Sequence, residues 1–397
     1  MIRPRSLPFL VLLAALVALG GMAIDMYLPA LPTIGAEFAA GPDRVQLTMS
    51  VYLLGAAAGQ LVIGPLSDRF GRRPVLVGGF LLFALASLGA VSSGSVEALI
   101  AWRLLQSFGA AVGGVVAMAI VRDSYPVEGA ARTIAHLSTI IGLSPAVAPF
   151  IGGALLEAFG WRSIFAALAA AGLALAGTVA FGLGETRPPG IRPANLLRQL
   201  LHSYTTLLGD RRYLAYVLCV SFAFAGLFTF IAGSPYAVIE HWGVPPTRFG
   251  YVFAVLPIGF MVGAQLGAVL GRWLSVSALL SIGVALCCAA GVALVALYGL
   301  DGGLVAFMLP VAAYVVGVGI ILPQGIACVM ADHPQIAGAA SAVLGCAQLA
   351  LSAAVAALAA AMSDGTPLSM AVTMALAAPA ALLAERIAAL TRRPQPA

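Results

Sequence analysis

The sequence predicts an all-α membrane protein of twelve transmembrane helices arranged as two pseudo-symmetric six-helix bundles. Three observations predict it. Of 397 residues, 61% are hydrophobic and only 9% charged, whereas an ordinary soluble domain is roughly a quarter charged. Apolar stretches recur from residue 7 onward, each about 18 residues or longer and so able to cross a ~30 Å hydrocarbon core as a helix. The one long polar interruption, residues 185–212, falls at the midpoint of the chain.

Helices are expected over strands because lipid offers no water to satisfy open backbone groups, and the ~10-residue alternation of a membrane β-barrel is missing. The spans are placed at residues 7–34, 45–66, 74–93, 97–122, 133–158, 162–184, 212–238, 247–270, 275–297, 302–330, 335–361 and 366–390. The first begins after Arg3 and Arg5, as a signal peptide does. It has no credible cleavage site and runs on into Asp25, so it is taken as a retained span. Sixteen arginines fall at the N-terminus, the C-terminal tail and the loops on that side, against three (Arg44, Arg162, Arg248) in the opposite loops. That asymmetry places both termini in the cytoplasm and demands an even number of spans.

The midpoint interruption, with Pro188, Pro189 and Pro193, divides the chain into an N-terminal bundle (1–184), a cytoplasmic linker (185–211) and a C-terminal bundle (212–397). Residues 64–69 (GPLSDR) after the second span are echoed weakly by 267–272 (GAVLGR) after the eighth, as a duplicated half would be. Two such halves with a midplane pocket form the architecture of alternating-access carriers. Gly259, Gly263, Gly267 and Gly271 recur every fourth residue, a smooth stripe for a close helix crossing. Pro145 and Pro149 lie one turn apart and are expected to kink the fifth span.

Several chemistries are excluded. The net charge is +5, but the charges are scattered among loops, so nucleic acid is not an expected partner. All twenty basic residues are arginine; without lysine there is no phosphate loop of the Walker type and no Schiff base. The five cysteines lie in apolar segments without C-x-x-C spacing and read as small hydrophobes. His136, His202, His241 and His333 are scattered, so no metal site is assigned. No H-E-x-x-H, G-x-S-x-G or paired-acid arrangement speaks for an intramembrane enzyme.

Asp25 is the sole carboxylate placed well within a span. Such an acid either changes its proton occupancy as its solvation changes and meets a cationic ligand, or merely ends a helix at the outer interface before Pro29. Arg103 lies in the fourth span, near its outer end; an arginine inside a span costs about 2.5–3.5 kcal/mol on insertion, so it either faces inward toward a partner or snorkels to the interface. Met22, Met49, Tyr52, Phe224 and Phe228 either line a soft pocket or pack helices and face lipid.

Four motifs carry a family resemblance. Residues 59–74 (GQLVIGPLSDRFGRRP) contain Gly64, Pro65, Asp68, Arg69, Gly71, Arg72 and Arg73, and resemble the loop between the second and third spans of the major facilitator superfamily. Residues 103–111 (RLLQSFGAA) resemble its R-x-x-Q-x-x-G motif. Residues 142–153 (GLSPAVAPFIGG), with Gly142, Pro145, Pro149, Gly152 and Gly153, resemble the motif of its drug and proton antiporters, with Ala148 where the pattern has glycine. Residues 24–32 (IDMYLPALP) resemble the Bcr/CflA group of drug-resistance exporters.

The resemblance implies a cytoplasmic latch in the first motif, with Asp68 expected to pair with Arg122, and a part in proton coupling for Arg103. It implies a secondary antiporter exporting small amphipathic drugs against protons, monomeric, in a bacterial inner membrane, driven by the proton gradient with no bound cofactor. A metabolite exporter or importer of the same fold is the alternative. Its partners would be a small-molecule substrate, protons and the lipid bilayer.

Overall fold

A computed structural model describes residues 2, 4–186, 196–298, 302–331, 333–363 and 365–391. Arg3, Arg187, Arg192, Arg392, Arg393 and the linker prolines lie outside these residues, as do the side chains of Arg132, His136 and Arg198. Among the described residues no strand occurs, and twelve helices are long and apolar enough to cross a membrane. Their ends fall within a few residues of the expected ones, except that the helix of the fifth span starts several residues earlier, at Val127.

One compact unit comprises residues 1–194 and 244–254, the other residues 195–243 and 255–397. The first holds α1 (Leu7–Asp25), α2 (Leu31–Glu37), α3 (Pro42–Phe70), α4 (Arg72–Val91), α5 (Val96–Ser124), α6 (Val127–Phe159) and α7 (Arg162–Gly182). The second holds α8 (Leu196–Gly209), α9 (Arg211–Pro235), α11 (Val255–Leu270), α12 (Val276–Tyr298), α13 (Gly303–Ala331), α14 (Ala337–Ala361) and α15 (Leu368–Leu390). The short α10 (Pro246–Phe253) packs on α6 and so groups with the first unit, whereas the linker helix α8 packs on α14 and α9 within the second.

The duplication faintly visible in the sequence is plain in the pairing of helices. In the first unit α3 packs on α5, α4 on α5 and α7, and α1 on α6. Six spans later the same scheme returns as α11 on α13, α12 on α13 and α15, and α9 on α14. Small residues set the closest crossings. A Cβ on Gly263 would collide with the Val316 carbonyl and lie 3.0 Å from Gly319 Cα, so α11 and α13 cross almost backbone to backbone. Gly259 and Gly267 of the expected stripe also face α13, while Gly271 contacts its own helix and Leu279.

Prolines interrupt three spans that the sequence reading draws as continuous. The first leaves α-helix at Asp25, passes through a 3₁₀ turn at Leu28–Ala30 and resumes as α2, because Pro29 and Pro32 lack the N–H that the helix ladder requires. The seventh span ends in a π-helical turn, Tyr236–His241, directly after Pro235. The eighth breaks at Ala254, where the ring of Pro257 opposes the carbonyl of Phe253 one turn back. By contrast, α6 keeps helical backbone through both Pro145 and Pro149.

Candidate functional site

Arg103 is fully buried in the first unit, which rules out snorkelling to the interface. Its Nη1 donates to the Ala23 carbonyl at 3.0 Å and to Gln106 Oε1 at 2.6 Å. Gln106 in turn donates to Ser87 Oγ at 2.7 Å, so the amide is held by α4 as well as by its own helix. The guanidinium stands 4.2 Å from the ring centre of Tyr52 and 4.7 Å from that of Tyr27. Both phenols are anchored: Tyr52 donates to the Gly20 carbonyl at 3.0 Å, and Tyr27 shares a 2.9 Å bond with Thr48. The Nε of Arg103 has no hydrogen-bond partner among the described residues. A cation held by π faces and carbonyls, with one donor left open, keeps its electrostatic influence within the core.

Asp25, the last residue of α1, is 5% exposed. It does end a helix, and it is buried among protein atoms. Ala23, whose carbonyl Arg103 grips, lies two residues earlier, and the Tyr52 ring faces the guanidinium. No ion pair joins Asp25 to Arg103 among the described residues; Arg103 instead holds the end of α1 through the Ala23 carbonyl.

The antiporter-like motif braces this point. Gly152 lies so close to the main chain of Met26 that a Cβ would collide with its carbonyl. A Cβ on Gly153 would sit 2.7 Å from the Pro246 carbonyl, where α10 docks. Gly142 faces open space, and Ala148, at the position where the motif departs, is buried. Met49 and Tyr52 pack on Arg103, with the Met49 sulfur 3.8 Å from Nη2, and are 1% and 2% exposed. Both are parts of the arginine's socket and not walls of an open pocket. Met22 is partly exposed on α1, and Phe224 and Phe228 lie on α9 in the other unit.

A second constellation forms at the junction of α3 and α4. Gly71, with φ of 100°, turns the chain there. Arg72 folds back so that Nη1 meets Asp68 at 2.5 Å and Ser67 at 2.6 Å, while Nε meets Asp123 at 2.9 Å. The open N-terminus of α4 is capped by Glu185, whose oxygens accept the backbone N–H groups of Arg72 and Arg73 at 3.0 and 3.2 Å. Arg73 bonds the Ala180 carbonyl, and Arg69 stands over the Phe70 ring. Pro65 is inside α3, and Gly64 makes only ordinary contact with Val115.

The expected partner of Asp68 is therefore corrected. Arg122 is exposed, and the α5 residue in the cluster is its neighbour Asp123, of opposite charge. Successive helical residues point about 100° apart, so only one of the two can face α3 and α4. Asp123→Asn is expected to impair transport as severely as Asp68→Asn, and Arg122→Gln to leave it near wild type. Substrate efflux from cells expressing equal amounts of each variant checks this.

Other groups escaped the sequence reading. Glu385 in α15 is a second buried carboxylate, 3% exposed, so Asp25 is not the sole one in a span. It accepts from Ser281 Oγ at 2.8 Å, with Arg386 Nε 3.5 Å from its other oxygen. Its place in the last two turns of an apolar run disguised it as a terminal residue. His333 pairs with Asp210 at 3.0 Å, and Asp210 also caps α9. Burial pushes the Asp210 carboxyl up, but the N–H of Tyr213, His333 and the N–H of Arg212 together hold it below the ordinary value. No cluster suited to a metal ion occurs among the described residues.

Comparison with known proteins follows these lines. The profile of the Major Facilitator Superfamily matches residues 13–357. The chain is 30% identical over 366 residues to the bicyclomycin resistance protein homolog of Haemophilus influenzae, covering 92% of each chain. It is 32% identical over 352 residues to multidrug resistance protein D of Escherichia coli, covering 86% of each. The crystal structure of a D-xylose-proton symporter superposes with a TM-score of 0.74 at 16% identity, over 96% of this chain and 97% of that one.

Proposed function

The chain belongs to the major facilitator superfamily, a family of multi-pass membrane transporters, and from that premise we propose that it exports amphipathic, antibiotic-like molecules in exchange for protons. The observation that carries the reading is the burial of Asp25 at a break in the first span, which Gly152 of the antiporter-like motif braces and whose helix end Arg103 holds. The relatives' names, bicyclomycin resistance and multidrug resistance, favour antibiotics as the cargo.

In the cycle we envisage, Asp25 takes either a proton or the cationic end of the substrate. Arg103 holds the α1 end and sets the local field, and access to this region alternates between the two sides of the membrane. The latch at Asp68, Arg72 and Asp123 ties α3, α4 and α5 on the cytoplasmic side. Both termini are cytoplasmic in this reading, in a bacterial inner membrane. In support, the loops of the opposite face carry only Arg44, Arg162 and Arg248, against sixteen arginines on the side of the termini. The working unit is the monomer, and the proton gradient alone supplies energy.

Antibiotic susceptibility in a host stripped of its own pumps tests this. Expression is expected to raise resistance to at least one amphipathic antibiotic several-fold, and a protonophore to abolish intracellular exclusion of that compound. Exclusion that survives the protonophore would refute the proton-driven reading.

A further inference from the structure

The linker helix α8 is not used by the transport chemistry, and its faces divide into three sectors. Taking about 100° per residue, Leu207 marks the side packed on protein: it is fully buried, and α8 contacts α14 and α9. Leu201 and Leu208 share a second sector about 110° away, and both are open, at 56% and 57% exposure. Half-buried Tyr204 lies between these two sectors. His202 and Thr206 occupy a third sector, about 130° beyond the leucines, and are exposed as well. A helix with only protein and water around it would not set leucines apart from both its packed side and its polar side.

Connectivity says what meets them. A single residue, Asp210, separates the end of α8 from Arg211, the first residue of a membrane span. The end of α8 is thus held within about 7 Å of that span's mouth. Two turns further on, Leu218 of α9 is 43% exposed within a membrane span, so the segment that follows Leu201 and Leu208 already presents an open apolar side chain at a depth where acyl chains lie. Exposed Arg211 adds a cation at headgroup level, while the neighbouring acid, Asp210, is occupied in capping α9 and binding His333.

We propose that α8 is a lipid-binding helix. It rests in the phospholipid interface on the side where the two halves of the chain are joined, with Leu201 and Leu208 inserted among acyl chains, His202 and Thr206 in water, and Arg211 at the phosphates. The linker in this view is anchored at its C-terminal end to the bilayer as well as to the second unit.

The test uses the full chain in phosphatidylethanolamine and phosphatidylglycerol vesicles, with its five cysteines replaced by alanine and nitroxide labels attached at L201C, L208C and T206C in turn. Labels at 201 and 208 are expected to collide several-fold more often with oxygen, which concentrates in acyl chains, than with a water-soluble nickel chelate; the label at 206 should show the reverse. Preference for the chelate at all three positions overturns the proposal. So does shielding of 201 and 208 from both reagents, the result a second protein copy would give. Should the cysteine-free chain fail to fold, L201W in the native chain reads the same contact: quenching by brominated acyl chains beyond that of wild type supports it, and unchanged quenching overturns it. None of these readouts requires transport, so failure of the export reading leaves the outcome interpretable.

Discussion

Arg103→Met is expected to abolish export and to lower the melting temperature of the purified protein, and Arg103→Lys is expected not to restore transport. Methionine leaves the Ala23 carbonyl and Gln106 Oε1 buried without their donor, at about 1–3 kcal/mol for each unsatisfied group. It also removes the cation that faces the rings of Tyr27 and Tyr52. Lysine keeps the charge but not the planar fork, so it cannot lie between the two phenols and reach the end of α1 at the same time. Drug resistance in cells and thermal unfolding of the detergent-purified variants read the two effects separately. Wild-type export by the lysine variant would show that charge alone suffices and that the socket has no role.

Asp25→Asn is the second large effect. A carboxamide of nearly the same shape neither gains nor loses a proton, so the packing of the α1 break should survive while coupling does not. In vesicles, substrate movement driven by an imposed pH difference is expected to fall to background, whereas exchange of labelled for unlabelled substrate, which needs no net proton transfer, persists in part. The pH dependence follows from competition: in the wild type, a cationic substrate binds less well as pH falls, because proton and substrate seek one carboxylate, and the asparagine variant should bind with a flat profile. Substrate-linked proton movement in Asp25→Asn vesicles would remove Asp25 from the mechanism.

Parts of the site were legible in one dimension and parts were not. The stretch 64–74 marks the turn between α3 and α4, because Gly71 must adopt a positive φ and Asp68 and Arg72 are one helical turn apart, a spacing that brings them together without any other element. Asp123 and Glu185, which complete that cluster, come from 51 and 113 residues away from Arg72. Nothing local distinguishes Asp123 from Arg122 as the residue that faces inward. Arg103 was identifiable as an unusual charge within a span, but its partners turned out to be a backbone carbonyl, an amide and two phenols, none of which a search for an opposite charge would find. Glu385 went unseen for the converse reason, since a carboxylate near the end of an apolar run looks like a terminal residue until its helix is placed in the bundle.

By itself the sequence determined the number of spans and the position of its motifs, because in lipid every backbone group must be satisfied within its own helix and each crossing leaves a long apolar run. The rotation of each helix about its axis was decided only by the tertiary structure. In a soluble helix the polar face betrays the buried one; here lipid-facing and core-facing positions are both apolar, as in α4, where Leu81, Leu85 and Leu88 are exposed and Phe80 and Phe83 fully buried. With that periodic signal erased, which side chains meet across helices depends on how neighbouring surfaces interlock.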